Sequence, residues 1–262
     1  MRILLTNDDG IHAPGLRALR DALTKLGDVT MIAPATEQSG VGLSITYLHP
    51  LMVNREFREG KLFGHAVHGS PADCVKVGIL QLCDERPDLV VSGINSGSNA
   101  GINVLYSGTV AGAIEGAFFG VTSIAVSLSQ DELPDYEAAA ERAVELIDEL
   151  LALDPPTGSL WNLNLPATRP GWPLGLKLVP LGVRRHSEVM EKRTDPRGRP
   201  YYWSGINHLK QHEMDPETDL HELAEGYATL TPLHFDITAT SLLNDARYQS
   251  LGQAEEPPAA DD

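Results

Sequence analysis

The sequence is poor in cysteine, in positive charge and in long apolar runs, and each shortage excludes a class of function. Two cysteines, Cys74 and Cys83, stand in 262 residues, so no disulfide framework supports the fold. They lie nine apart in a stretch that reads as one helix, where nine steps of 100° set them on opposite faces. Buried thiols in a reducing compartment are the expectation. Twenty Lys and Arg face 36 Asp and Glu, a formal charge of -16. Such a chain repels a nucleic-acid backbone, and small anions become ligands only where the site supplies a cation. No apolar run approaches the roughly 20 residues of a membrane span, and no basic-plus-apolar leader opens the sequence. The expectation is a cytoplasmic protein with no membrane and no nucleic-acid partner.

Common catalytic signatures are missing too. There is no G-x-x-x-x-G-K-[ST] phosphate loop and no G-x-S-x-G elbow. "GVGLSI" lacks the third glycine of a dinucleotide fingerprint. His212-Glu213 and His221-Glu222 begin like H-E-x-x-H without its second histidine. His208 and His212 are four apart, but their polar context near Pro216 reads as surface or interface.

What is present alternates between strand and helix. "RILLTN", "VTMIAP", "DLVVSGIN", "TSIAVSL", "LWNLNLP" and "LKLVPLG" read as strands. "PGLRALRDALTKLG", "SPADCVKVGILQLC", "TVAGAIEGAFFG" and "DYEAAAERAVELIDELLAL" read as helices. In the second of these, Ser70 caps, Pro71 takes the first position and Asp73 completes a capping-box pattern. The pattern predicts an α/β fold with a mostly parallel sheet and helices on both faces. Residues 44–68 read as a β-rich excursion. Residues 183–251 read as an extended hairpin, turning at Asp195-Pro196-Arg197-Gly198, followed by a C-terminal arm of the kind that exchanges between subunits. Residues 1–182 form the main domain, and the acidic 252–262 a disordered tail.

In an open parallel sheet, ligands bind beyond the carboxyl ends of the strands. "NDDG", "EQSGVG" and "INSGSNAGINVLYSGT" all fall there and carry Asp8, Asp9, Ser39, Asn95, Asn99, Ser107 and Thr109. These hard oxygens suit Mg²⁺, Mn²⁺ or Ca²⁺ and disfavour zinc. Adjacent strand residues point to opposite faces, so Asp8 and Asp9 share one ion only if the backbone turns at Gly10. A turn in which Asp9 merely caps the following helix is the plainer alternative. Ser107-Gly108-Thr109 opens a small-residue helix, whose free N–H groups could receive phosphate. A plain Ser/Thr cap reads equally well there. His12 is a weaker candidate beside the carboxylates.

Together, "TNDDGIHAPGL" (6–16), "AP" (33–34) with "EQSGVG" (37–42), "GSPADCV" (69–75), "DLVVSGINSGSNAG" (88–101) and "YSGTVAGAIEG" (106–116) resemble the SurE family of acid phosphatases and nucleotidases, in order and spacing. The second half is similar more loosely, through "WNLNLP" and "GYATLTPL". Ser70 departs from the family's usual Thr but keeps a capping hydroxyl. The resemblance implies a Rossmann-like domain with a β-rich extension and a swapped C-terminal arm, in a homodimer or homotetramer. It implies one Mg²⁺ or Mn²⁺ per subunit, held by Asp8, Asp9, Ser39 and Asn95. Asn99, Ser107, Gly108 and Thr109 match the family's phosphate-binding positions. The implied reaction is hydrolysis of nucleoside 5′- and 3′-monophosphates, with Asp8 and Asp9 in catalytic roles. A polyphosphatase with incidental nucleotidase activity and a non-catalytic nucleotide or phosphate sensor are the alternatives.

Overall fold

The structure is a computed structural model, and it describes residues 1–130, 133–169, 171–183, 188–206 and 215–249. His208, His212 and Glu213, the 252–262 tail and part of the proposed arm lie outside the described residues. The elements run β1 (Arg2–Thr6), α1 (Pro14–Leu23), β2 (Asp28–Pro34), β3 (Val53–Arg58), β4 (Lys61–Val67) and α2 (Pro71–Val77). Next come β5 (Leu89–Ser96), α3 (Gly108–Phe118), β6 (Thr122–Leu128), α4 (Tyr136–Leu151), β7 (Leu160–Leu165) and β8 (Leu176–Leu178). The chain continues through β9 (Glu188–Thr194), β10 (Pro200–Ile206), α5 (Asp219–Ala224) and β11 (Ala228–Leu233). No helix among the described residues is long and apolar enough to cross a membrane.

Among the described residues, nine strands form one sheet in the order β3-β4-β2-β1-β5-β6-β7-β11-β8. The β4-β2-β1-β5-β6-β7 run is parallel, while β3 and β11 run against β4 and β7. Alternating strand residues feed the two faces. Ile3 and Leu5 join Leu16, Leu19 and Leu23 of α1 and Ala139, Ala143 and Ile147 of α4 on one side. Leu4 and Val90 join Cys74 and Val75 of α2 on the other, and α3 packs through Val110, Ala113 and Ala117. The expected layering is therefore present.

The 44–68 excursion, read as part of the 1–182 domain, supplies two strands that extend the main sheet, since β4 pairs in parallel with β2. Two details differ from the sequence reading. The 70–83 helix is not uniform. It begins with the expected capping box at Ser70 and Asp73, then widens into a π-helical turn over Gly78–Leu82. Cys83 consequently packs against the cluster that buries Cys74, and both thiols are free. The 183–251 segment does contain the expected hairpin, β9 with β10, turning where Asp195 Oδ1 accepts the Arg197 and Arg199 N–H groups at 2.9 Å each. Yet β11, from the same segment, lies inside the main sheet between β7 and β8.

β1 leads outward to β2 on one side, and β5 lies on its other side. This is a topological switch point, where loops diverge and leave a crevice at the carboxyl ends. The first and third oxygen-rich loops flank it.

Candidate active site

β1 ends in a built turn. The buried Asn7 amide donates to the Gly10 carbonyl at 3.1 Å and accepts the Gly10 N–H at 3.2 Å. Gly10 takes φ +100°, a conformation that an L side chain resists. This bend sets Asp8 and Asp9 close enough to repel one another. The helix-cap alternative for Asp9 is not what forms: α1 is preceded by Ala13 and has no side-chain cap.

Asp8 is 3% exposed. Its Oδ1 accepts the Thr109 hydroxyl at 2.5 Å, and the Thr109 N–H also bonds it. The start of α3 thus points at a carboxylate of the protein itself, as the helix dipole favours. Gly108 is required at this contact. A Cβ there would stand 2.8 Å from Asp8 Cβ and 2.9 Å from its Oδ2. Ser107 caps α3, its Oγ accepting the Val110 N–H at 3.1 Å.

Asp9 accepts the Ser96 N–H at the end of β5. Burial, then the charge of Asp8, pushes its pKa up to about 6 against the Ser96 bond. Burial also raises Asp8, against the Thr109 bonds, and Glu37 adds repulsion to both. Among the described residues no cationic side chain offsets either charge. Glu37 escaped the sequence reading. It stands on the Ser39 loop, and the Ser39 hydroxyl donates to its Oε1 at 2.7 Å. The same loop is tied to β1 through the Gln38 N–H, which meets the Asp8 carbonyl at 2.7 Å.

Asn95 lies where the β5–β6 register shifts. Its amide nitrogen donates to the Gly97 carbonyl at 2.7 Å, which leaves the amide oxygen as the end able to meet a cation. Asn99 is largely buried and committed to holding its loop. Its amide donates to Ser127 Oγ at 2.9 Å and its N–H to Asn164 Oδ1 at 2.8 Å. Its carbonyl accepts from Asn162 at 2.8 Å and from Asn164 at 3.2 Å. Asn162 and Asn164 were also missed. Two asparagines alternating in the apolar β7 were the available signal. His12 turns elsewhere: it is well exposed, 3.8 Å from Glu56, in a groove with Arg17 and Phe63.

The donor chemistry fits a hard divalent cation. Two crowded carboxylates lack a counter-charge, and a hydroxyl and an amide oxygen stand on the adjoining loops. Among the described residues no three His, Cys, Asp or Glu side chains converge on one point. An ion held here therefore relies on two carboxylates and neutral oxygens.

Comparison with known proteins gives a consistent outcome. The family described as Survival protein SurE matches residues 3–188. A 5′-nucleotidase SurE of Rhodopirellula baltica is 54% identical over 254 residues, covering 96% of this chain and 99% of that protein. A 5′-nucleotidase SurE of Pelotomaculum thermopropionicum is 46% identical over 239 residues, covering 91% of each. The crystal structure of the SurE protein from Aquifex aeolicus superposes with a TM-score of 0.83 at 38% identity, covering 95% of this chain and 100% of that one.

Proposed function

This chain belongs to the Survival protein SurE family, and from that premise we propose that it is a 5′-nucleotidase, a divalent-metal-dependent phosphomonoesterase that releases phosphate from nucleoside 5′- and 3′-monophosphates. One observation carries the reading. Asp8 and Asp9 are crowded together without a cation, and the first turn of α3 closes on Asp8. That arrangement stores negative charge where a cation suits, with the first turn of α3 spending its Thr109 N–H on Asp8 and its Val110 N–H on Ser107.

Asp8, Asp9, Ser39 and Asn95 would hold the ion. When bound, Mg²⁺ or Mn²⁺ neutralises phosphate charge and makes water more acidic. The chain's own groups do the rest. Asp8 is held by the Thr109 hydroxyl at Oδ1 and by the Thr109 N–H, and the missing side chain of Gly108 leaves room beside Oδ2. A carboxylate tied to α3 in this way suits holding and orienting a ligand, and in this reading water is the nucleophile. Its oxygen bonds to phosphorus as the ester P–O bond breaks, and the proton the water gives up balances the one the departing nucleoside oxygen gains. Thr109 and the Ser107 cap fix α3, and Asn99 fixes the loop between Asn95 and the 3-10 helix Gly101–Tyr106. Gly108 lets the helix start approach.

The β9–β10 hairpin carries exposed Met190, Tyr202 and Trp203, which suits an arm that joins subunits into a dimer or tetramer. The two free thiols suit a reducing cytoplasm.

The test is phosphate release from a panel of 5′- and 3′-nucleoside monophosphates in Mg²⁺, in Mn²⁺ and in chelator. Release that survives chelation overturns the metal requirement. Turnover in ¹⁸O-water that leaves label in an Asp8 peptide overturns the water nucleophile.

A further inference from the structure

A cavity of about 510 Å³ opens at the carboxyl ends of β5, β6 and β7. Its walls include Ser98 from the loop after β5, Ser129 after β6, and Pro166 and Trp172 after β7. Leu220 and Leu223 of α5 close it from the other side. The volume is that of a small-molecule site, and mixed apolar and polar walls are what such sites present.

One observation ties the cavity to the candidate active site, and two show that its walls are fixed. Ser98 is two residues beyond Ser96, whose N–H bonds Asp9, so the two lie within about 7 Å along the chain. The loop between them is pinned to β7 by Asn162 and Asn164, which hold the Asn99 carbonyl. The opposite wall is pinned as well: buried Asp219, at the head of α5, accepts the Gly101 N–H and the Gly182 N–H at 2.7 Å each. From Asp8 to the β7 end of the cavity is three strand spacings, about 14 Å.

The walls also indicate the occupant. Trp172 is half-buried, and its indole N–H is already given to the Pro166 carbonyl at 2.6 Å. The ring packs partly on the main core and its remaining surface lines the cavity, with Leu220 and Leu223 on the wall and the hydroxyls of Ser98 and Ser129 at the strand ends. Arg169 is balanced by Glu225 among the lining side chains. A wall without net positive charge does not suit a polyphosphate chain, in which every unit is anionic. A flat, apolar-faced heterocycle with polar edges does suit it.

We propose that this cavity is the nucleoside subsite, with Trp172 as the surface on which the base lies while the phosphate reaches Asp8 and Asp9. The proposal rests on the nucleotidase reading, and its test separates the two. Adenosine binding is measured by calorimetry on the full chain with Mn²⁺, and phosphate release is followed from AMP, ribose 5-phosphate and tripolyphosphate. Trp172→Ala should weaken adenosine roughly tenfold or more, the loss of one base–aromatic stack, and Trp172→Phe should restore most of it. Ala224→Trp, an exposed position at the cavity wall, fills the space without removing core. It should lower adenosine affinity and cut the preference for AMP over ribose 5-phosphate at least fivefold. Adenosine affinity and that preference within twofold of wild type in both Trp172→Ala and Ala224→Trp overturn the proposal. So does an Ala224→Trp loss as deep on tripolyphosphate as on AMP. Adenosine binding that behaves as described, with no phosphate released from AMP, supports the subsite and overturns the nucleotidase reading instead.

Discussion

Gly108→Ala should separate stability from activity. Gly108 begins α3 with ordinary helical backbone, so alanine itself is welcome there and gains up to about 1 kcal/mol of helix propensity. The added Cβ meets Asp8 Cβ at 2.8 Å and Oδ2 at 2.9 Å, whereas ordinary contact begins near 3.4 Å. Asp8 or the α3 start must retreat by about 0.6 Å, a few tenths of an ångström more than close packing absorbs. That retreat pulls on the 2.5 Å Thr109 bond and shifts the carboxylate that would hold the ion. Propensity and clash oppose each other, so net stability should stay within about 1 kcal/mol of wild type. Misplacement on this scale at a reacting centre costs about 100-fold, or roughly 2.7 kcal/mol of barrier. Urea unfolding gives the first quantity, and initial rates of phosphate release from AMP at saturating Mn²⁺ give the second. Activity within threefold of wild type, in a protein that folds normally, refutes the assignment of Asp8 as a closely fixed ligand.

Asp8→Asn should cost at least about 1000-fold in kcat, the scale of losing a central catalytic group, yet leave the metal-free fold at least as stable by urea unfolding, because one of two crowded charges is gone. Metal-free stability should fall as pH rises from about 4 through about 6. Asp9 has a raised folded pKa, so the folded state binds the extra proton, and that contribution is complete below the unfolded value and lost above the folded one. A rise to about 6 caps the effect at about 3 kcal/mol, and partial exposure reduces it to about 1–2 kcal/mol. Urea titrations across that range should show the fall, and saturating Mn²⁺ should reverse it, since the ion binds the deprotonated pair. Asp73→Ala should cost about 2–3 kcal/mol in urea unfolding, because Asp73 receives the Ser70 N–H, the Thr46 N–H and the Thr46 hydroxyl. A loss under 0.5 kcal/mol would mean that the 44–46 loop is not held there.

Much of this was legible because local signals and tertiary packing agree. Most of the apolar strands and periodic helices and the Ser70–Asp73 box formed where pattern placed them, although the 70–83 helix changes at Gly78 and the 176–182 strand keeps only Leu176–Leu178. The loops that carry Asp8, Asp9, Ser39 and Asn95 could be grouped because parallel strands deliver them to one edge, and the family resemblance singled out these four from the larger set of oxygens. Their contacts could not be read. That Thr109 spends its hydroxyl on Asp8, and Asn99 its amide on Ser127, depends on distances across 101 and 28 residues of chain. Nothing in the sequence marks Glu37, and only the loop's path brings it against the pair. The widening at Gly78 has no periodic signature, and the entry of β11 into the main sheet follows from long-range pairing that strand pattern alone leaves open.

The position of β11 has a consequence for biosynthesis. It is the strand that joins β7 to β8, and it enters between two strands that leave the ribosome before it. Until Ala228–Leu233 emerges, β7 presents an unpaired edge, and residues 166–227 must be synthesised first. At ordinary elongation rates that interval is roughly 3–12 s. An open edge of that duration invites pairing with a neighbouring chain. The nascent protein is therefore most in need of a chaperone late in its synthesis, after the carboxylate pair and α3 have been made but before the wall of the cavity has arrived.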